Sequence, residues 1–324
     1  MTYAVALSLI LSGPFQLMFT RYVADRLFEK ESERVLPNYL TALTLCMLMS
    51  FAVALLLSFY LFYGKPYYYH LLFTFTVSIL SGLWLTNALL VGLKRYKYIF
   101  LSFFISYLTS GVLFILFLLI KKSLFLSFLA FYIGQFILLN LLIYRVISDY
   151  PSNKLVEFDF LNKKWAYNSL AVSGFFYNFG IWADKLVFWF SPLTGEPIFA
   201  NVRTSVVYDI PVIISYISLL PGMAAFFLKI EGEFAEKYDE YYKAVREWGT
   251  LELLYRTANR MIDGARAVLY ETLRIQAITD IFIFFLELYL FRLLKISFLY
   301  IPLFNVLLMR FLDEVHYRTY MLRD

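Results

Sequence analysis

Residues 98–144 read YIFLSFFISYLTSGVLFILFLLIKKSLFLSFLAFYIGQFILLNLLIY. Two apolar runs, 98–120 and 123–144, are parted by little more than Lys121 and Lys122. About 20 mostly apolar residues make a helix long enough to cross a bilayer. Both runs reach that length. They are too long for barrel strands and lack strict alternation. The stretch therefore reads as two transmembrane helices joined by a two-lysine turn.

Working outward, the same pattern recurs at 1–20, 40–63, 71–93, 166–190, 205–228, 276–291 and 296–309, giving about nine spans. The last two are short, and they are split only by Arg292–Lys295. Composition agrees: 61% of the 324 residues are hydrophobic, 21% aromatic and 16% charged. An ordinary soluble domain is about 45–50% apolar and 25% charged. The expected fold is an all-α polytopic membrane helical bundle, and a soluble enzyme or a secreted disulfide scaffold is excluded. With one cysteine, Cys46, and two histidines, His70 and His316, no Cys-based metal cluster or disulfide forms within the chain. No metal and no cofactor is expected.

Lysine and arginine set the orientation. Alternate connections, starting with 21–36, hold 22 of these residues, against 6 in the others. Basic connections face the cytoplasm. This places 21–36, 94–97, 145–164 and 229–274 inside, and the first helix starts outside. Residues 1–20 lack a basic leader and a small-residue cleavage site, so they are not a signal peptide. A multi-pass chain that starts outside suggests an absent first helix.

Three domains are expected. Residues 1–146 form a first lobe of about five spans. Residues 147–164, polar and carrying Pro151, form a cytoplasmic linker. Residues 165–324 form a second lobe of about four spans, with a cytoplasmic helical hairpin at 229–274. In that hairpin Phe234, Tyr238, Tyr241, Val245 and Trp248 recur at helical spacing. Gly249–Thr250 punctuates it as a C-cap and an N-cap. A second helix carries Leu254, Ala258, Met261, Ala265 and Val268 on one face. The aromatic stripe either packs on the protein's own helices or docks a cytoplasmic partner.

Ionisable groups inside spans are candidates for function. Helix 166–190 carries Asp184 and Lys185 about ten ångströms from its outer end, at ~1.5 Å per residue. Asn178, Trp182, Lys185 and Trp189 share one face. Amide, charge and indole together suit a sugar: the indole covers C–H surface and the polar groups take hydroxyls. Alternatively, Lys185 snorkels outward and Asp184 pairs with it. Helix 205–228 carries Pro211, Pro221 and Gly222, which would serve as hinges or as structural kinks. Asp280 and Glu287 share a face and could relay protons or bind a cation; they could equally pair with Arg274 or Arg292. Enzyme readings find no support, since no DxD, HExxH, GxxxxGK[ST] or GxGxxG occurs.

Four strings are distinctive: GPFQLMFTRYVADRLFEKESER at 13–34, ADKLVFWFSPLTGEPI at 183–198, YDIPVIISYISLLPGM at 208–223 and EFAEKYDEYYKAVREWGT at 233–250. Together they resemble the PelG family, the polytopic component of Pel exopolysaccharide export. The resemblance implies a two-lobe architecture like MATE transporters and lipid flippases, with twelve helices where this chain shows about nine. It further implies a place in the bacterial inner membrane, where nascent amino-sugar polymer is moved across with a cytoplasmic glycosyltransferase and membrane accessory and regulatory subunits. The regulatory subunit answers cyclic di-GMP; nothing in this chain points to binding it. Two alternatives stand beside export of polymer. One is a scaffold that anchors the glycosyltransferase without transport. The other is a flippase for lipid-linked oligosaccharide or a MATE-type exporter of small molecules.

Overall fold

A computed structural model describes residues 1–162, 167–247 and 249–294. It contains α1 (Thr2–Phe28), α2 (Val35–Leu61), α3 (Tyr67–Gly92), α4 (Tyr96–Ile120), α5 (Leu124–Asp149), α6 (Asn168–Phe190), β1 (Glu196–Phe199), β2 (Val202–Thr204), α7 (Val206–Lys229), α8 (Ala235–Arg246) and α9 (Leu251–Leu294). The chain is an all-α polytopic bundle with one short antiparallel hairpin, β1–β2. Among the described residues, six helical segments are long and apolar enough to cross a membrane: α1 to α5, and the stretch that begins with α7.

The first eight expected spans all fall on helix, with two differences. Helix α6 is in place but is not among those six segments, because Asn178, Asp184 and Lys185 dilute its apolar character. The stretch 276–291 is not a separate helix. It continues the second helix of the hairpin, and α9 runs unbroken from Leu251 to Leu294. No proline or glycine stands between Ala265 and Leu294 to stop it. The ninth expected span, 296–309, lies outside the described residues.

Two compact units form. The first comprises Met1–Phe190 and Glu196–Thr204. Helix α3 is its axis, packed against α1, α2 and α5. A core of Phe19, Tyr22, Tyr39, Leu83, Leu138, Leu142 and Phe160 fills the end nearest the basic connections. A second cluster of Ala4, Ala54, Leu61, Phe73, Val77 and Leu80 fills the other end. Helix α4 leans mainly on α5 and exposes Phe100, Phe104, Leu108 and Ile115, as a lipid-facing helix does. Small residues permit that pairing: a Cβ on Gly134 would crowd Ser106 and Ser110 of α4.

Compact packing does not divide at 147–164, where the sequence set the lobe boundary; α6 belongs with α1. Nor does that segment hang free. Phe160 is fully buried, 5.8 Å edge-on from Phe19. Asn38 of α2 holds it by donating to Glu157 (3.2 Å) and accepting the Phe160 N–H (3.3 Å). Arg34 pairs with Asp159 at 3.3 Å. A polar, proline-bearing sequence reads as linker, yet its single buried aromatic makes it a strap.

The second unit comprises Ser191–Gly195 and Ser205–Asp324. Within it α9 packs against both α7 and α8. The hairpin turn is capped as expected, with Thr250 Oγ1 accepting the Leu253 N–H at 3.3 Å. Leu254, Ala258, Met261, Ala265 and Val268 are all at least half-covered. Lys229 ties the helices together through Glu233 (2.7 Å) and Glu271 (2.8 Å).

Candidate functional site

Helix α6 meets α1 where Gly13 faces Gly174. A Cβ on either glycine would overlap the backbone of the other, so the two helices cross at backbone distance. This crossing decides where the polar stripe of α6 goes. Gly174, Asn178, Trp182, Lys185 and Trp189 recur at helical spacing, and this is the covered face of α6. Asn178 sits against Gly13 and donates to the Gly174 carbonyl of its own helix at 3.1 Å. Trp189 is 2% exposed and stacks on Tyr3 of α1 with ring centres 4.6 Å apart.

Lys185 is 6% exposed. Its Nζ lies 3.7 Å from Asp184 Oδ1, 3.4 Å from the Ile181 carbonyl and 5.0 Å from the centre of the Trp182 ring. This is a satisfied cation on a packed face. The other side of the ring pair differs, because the Trp182 indole Nε1 is buried without a hydrogen-bond partner among the described residues. Indole N–H groups normally find a partner when buried. Tyr177, in contrast, is exposed.

A feature the sequence reading missed closes this end of the unit. The β1–β2 hairpin lies over the ends of α1, α2 and α3. Tyr3 Oη accepts the Arg203 N–H at 3.2 Å and donates to the Arg203 carbonyl at 2.9 Å. Asn201 donates to the Tyr60 carbonyl at 2.8 Å, and its backbone N–H donates to that of Leu61 at 3.1 Å. Phe199 packs beside Phe62 and Tyr69, with the Lys65 ammonium 4.8 Å from its ring centre. Strands this short carry no period to read. The Gly195 and Pro197 punctuation within 191–204 was the available signal.

Helix α7 runs unbroken through both Pro211 and Pro221. Proline lacks the N–H that would reach the carbonyls of Val207 and Ile217, so those two bonds are missing without ending the helix. Gly222 has a definite packing task, since a Cβ there would overlap the Gln276 amide of α9. Gln276 in turn donates to the Ser218 carbonyl of α7 (2.9 Å) and to Asp280 (2.6 Å). Asp280 is thus joined to α7 rather than paired with Arg274, and it makes no ion pair among the described residues. Gln276 was not singled out from sequence, though an amide one turn before a carboxyl in an apolar run is a readable signal. Glu287 lies on α9, and its side chain is outside the described residues.

On the hairpin, α8 turns differently from the expected stripe. Tyr241 and Phe234 are half-buried and Ala244 is buried, while Tyr238, Tyr242 and Val245 are exposed. Tyr238 and Tyr242 stand 4.4 Å apart by ring centres. Trp248 lies outside the described residues.

A family model described as "PelG: Putative exopolysaccharide Exporter (EPS-E)" matches residues 1–320. Neither a curated protein nor a solved structure matches the chain.

Proposed function

The chain belongs to the PelG family, a family of exporters rather than enzymes, and on that premise we propose that it moves nascent exopolysaccharide across the bacterial cytoplasmic membrane. One observation carries this reading: the family match spans 1–320 of a chain built from membrane-length apolar helices. The substrate is an amino-sugar polymer delivered by a cytoplasmic glycosyltransferase that works with membrane accessory and regulatory subunits. The two-lobe, MATE-like arrangement belongs to the same proposal, with Pro211 and Pro221 as its points of give.

The polymer path runs along α6. Asn178, Lys185 and Trp189 hold the helix against α1 and position the site, and Trp182 and Asp184 meet the sugar. The unpartnered Trp182 N–H is the group that supports this assignment, because a sugar hydroxyl or acetamide carbonyl supplies the missing acceptor.

The exposed Tyr238, Tyr242 and Val245 favour a second reading, in which the hairpin anchors the synthase and nothing is transported. Polymer secretion in cells with matched membrane levels separates the two. Losing one hydrogen bond costs about 1.4 kcal/mol, or tenfold. Trp182→Phe keeps a ring and removes the donor, so secretion falls by about that factor if Trp182 meets polymer. Unchanged secretion in Trp182→Phe, with secretion lost in the Tyr238→Ala/Tyr242→Ala double variant, overturns transport and leaves the anchor.

A further inference from the structure

Helix α7 does not stop at Lys229. One wide turn of π-helix, Ile230–Phe234, carries it directly into α8, so that 206–246 is a continuous helix. At this turn the Ala235 N–H reaches back five residues to the Ile230 carbonyl, where an α-helix reaches back four. The turn stands where the apolar run of α7 ends at Leu228 and the charged hairpin begins at Lys229.

Its cause lies in the register against α9. Gly222 and Lys229 both face α9: a Cβ on Gly222 would overlap Gln276, and Lys229 bonds Glu271 at 2.8 Å. Lys237 and Ala244 share the face that α8 turns to α9. A Cβ on Gly264 of α9 would overlap the Lys237 side chain, and Ala244 is buried. Each of these pairs is seven residues apart, close to two α-helical turns, so its members stand on one side. Lys229 and Lys237 are eight apart. A plain α-helix, at ~100° per residue, would turn Lys237 about 80° away from the side on which Lys229 stands. The π turn absorbs the extra residue and keeps one side on α9 along the whole length.

The same turn is weakly held. Glu231, Gly232 and Glu233 are exposed, and a Cβ on Gly232 would meet nothing within 4 Å. Space therefore does not demand a glycine, although glycine weakens a helix interior relative to alanine. Lys229 bridges the turn through Glu233 at 2.7 Å, an ion pair open to solvent, and such pairs hold weakly.

We propose that Ile230–Phe234 is a rotary joint, at which α8 turns about its own axis against the unbroken α9. Tightening the π turn to α geometry swings α8 by about 100°. Lys237 and Ala244 then leave α9, Glu236 and Lys243 come onto it, and the exposed Tyr238–Tyr242 pair moves round the hairpin by the same angle. The observed register is the major one, because it covers Ala244 and Tyr241 where the other covers two charges. The joint is a property of the second unit alone and is independent of the export reading.

The test uses the full chain in lipid nanodiscs, spin-labelled at Asp239→Cys on α8 and Asn259→Cys on α9, both exposed positions. Cys46 is buried and stays unlabelled. The expected distance distribution holds a major and a minor peak up to about 8 Å apart, the chord of such a turn on a helix ~10–12 Å across. Deletion of Gly232 brings Lys229 and Lys237 to seven apart, so a plain α-helix then keeps the same residues on α9. The deletion variant is expected to show the major peak alone and to unfold no earlier than wild type. A single peak in the wild type overturns the joint, as does a minor peak that survives the deletion. Misfolding of the deletion variant overturns it too, since the register argument requires that helix to pack.

Discussion

The contact between Gly13 and Gly174 shows how one atom sets the fate of a whole helix face. In lipid, apolar side chains gain little from burying each other, and close backbone packing takes over as the force between helices. Two missing Cβ atoms let α1 and α6 touch, and that touch turns Asn178, Lys185 and Trp189 inward. Gly174→Val drives a branched side chain into the Gly13 backbone, where no flexible side chain can yield. Overpacking of this kind costs about 1–3 kcal/mol. The expected result is a lower unfolding temperature in detergent and faster exchange of the Asn178–Trp189 segment. Gly180→Val, on the same helix with open space around it, is the control and leaves both unchanged. The sequence showed which residues share the α6 stripe, because helical period is local. It did not show what the stripe faces, because that depends on a glycine far away in the chain.

At the scale of elements, the positions of α1 to α5 and α7 were legible because membrane spans advertise themselves by length and composition. What failed to show was everything that length and composition do not encode. The β1–β2 hairpin is too short for a period, and α9 merges a polar hairpin helix with an apolar span because nothing interrupts it. The strap at 150–162 belongs to the same class. Its chemistry is that of a linker, and one residue, Phe160, decides otherwise. Phe160 lies edge-on to Phe19 and 6.4 Å from the Tyr22 ring, with no exposure. Truncating a buried phenylalanine costs about 3–5 kcal/mol. Here the cost falls on the docking of the strap, since the helices beneath keep their own contacts. Phe160→Ala is therefore expected to speed proteolysis within 150–162 by orders of magnitude while α1 to α5 stay protected. Simultaneous loss of protection throughout the first unit would show that the strap is part of the core and no longer a separable element. Glu157→Gln keeps the size but removes charge near Asn38 and Lys154, and gives only a slight increase.

For the whole molecule, the orientation of every element rests on a single statistic, the 22 against 6 division of basic residues. That statistic also decides which connections the proposed topology places in the cytoplasm and which it places outside. The margin is wide enough that moving any one lysine leaves its sign intact, and the orientation is open to a direct test. The chain is well suited to one. Its only cysteine, Cys46, is fully buried between α2 and α3, and its thiol is turned toward the Ser81 carbonyl. It offers a reagent in water nothing to attack, so single introduced cysteines can be read without removing it. Leu193, 93% exposed between α6 and β1, is assigned outside; Asn153, exposed on the strap, is assigned inside. A membrane-impermeant maleimide is expected to label Leu193→Cys in intact cells, and to label Asn153→Cys only after the membrane is opened. Lys121→Cys, in the two-lysine turn, should behave like Leu193→Cys, because that turn is among the poorly basic connections despite its charge. The reverse pattern at all three positions would invert the molecule, put the Tyr238–Tyr242 pair on the outer side, and remove the hairpin from any role in holding a cytoplasmic enzyme.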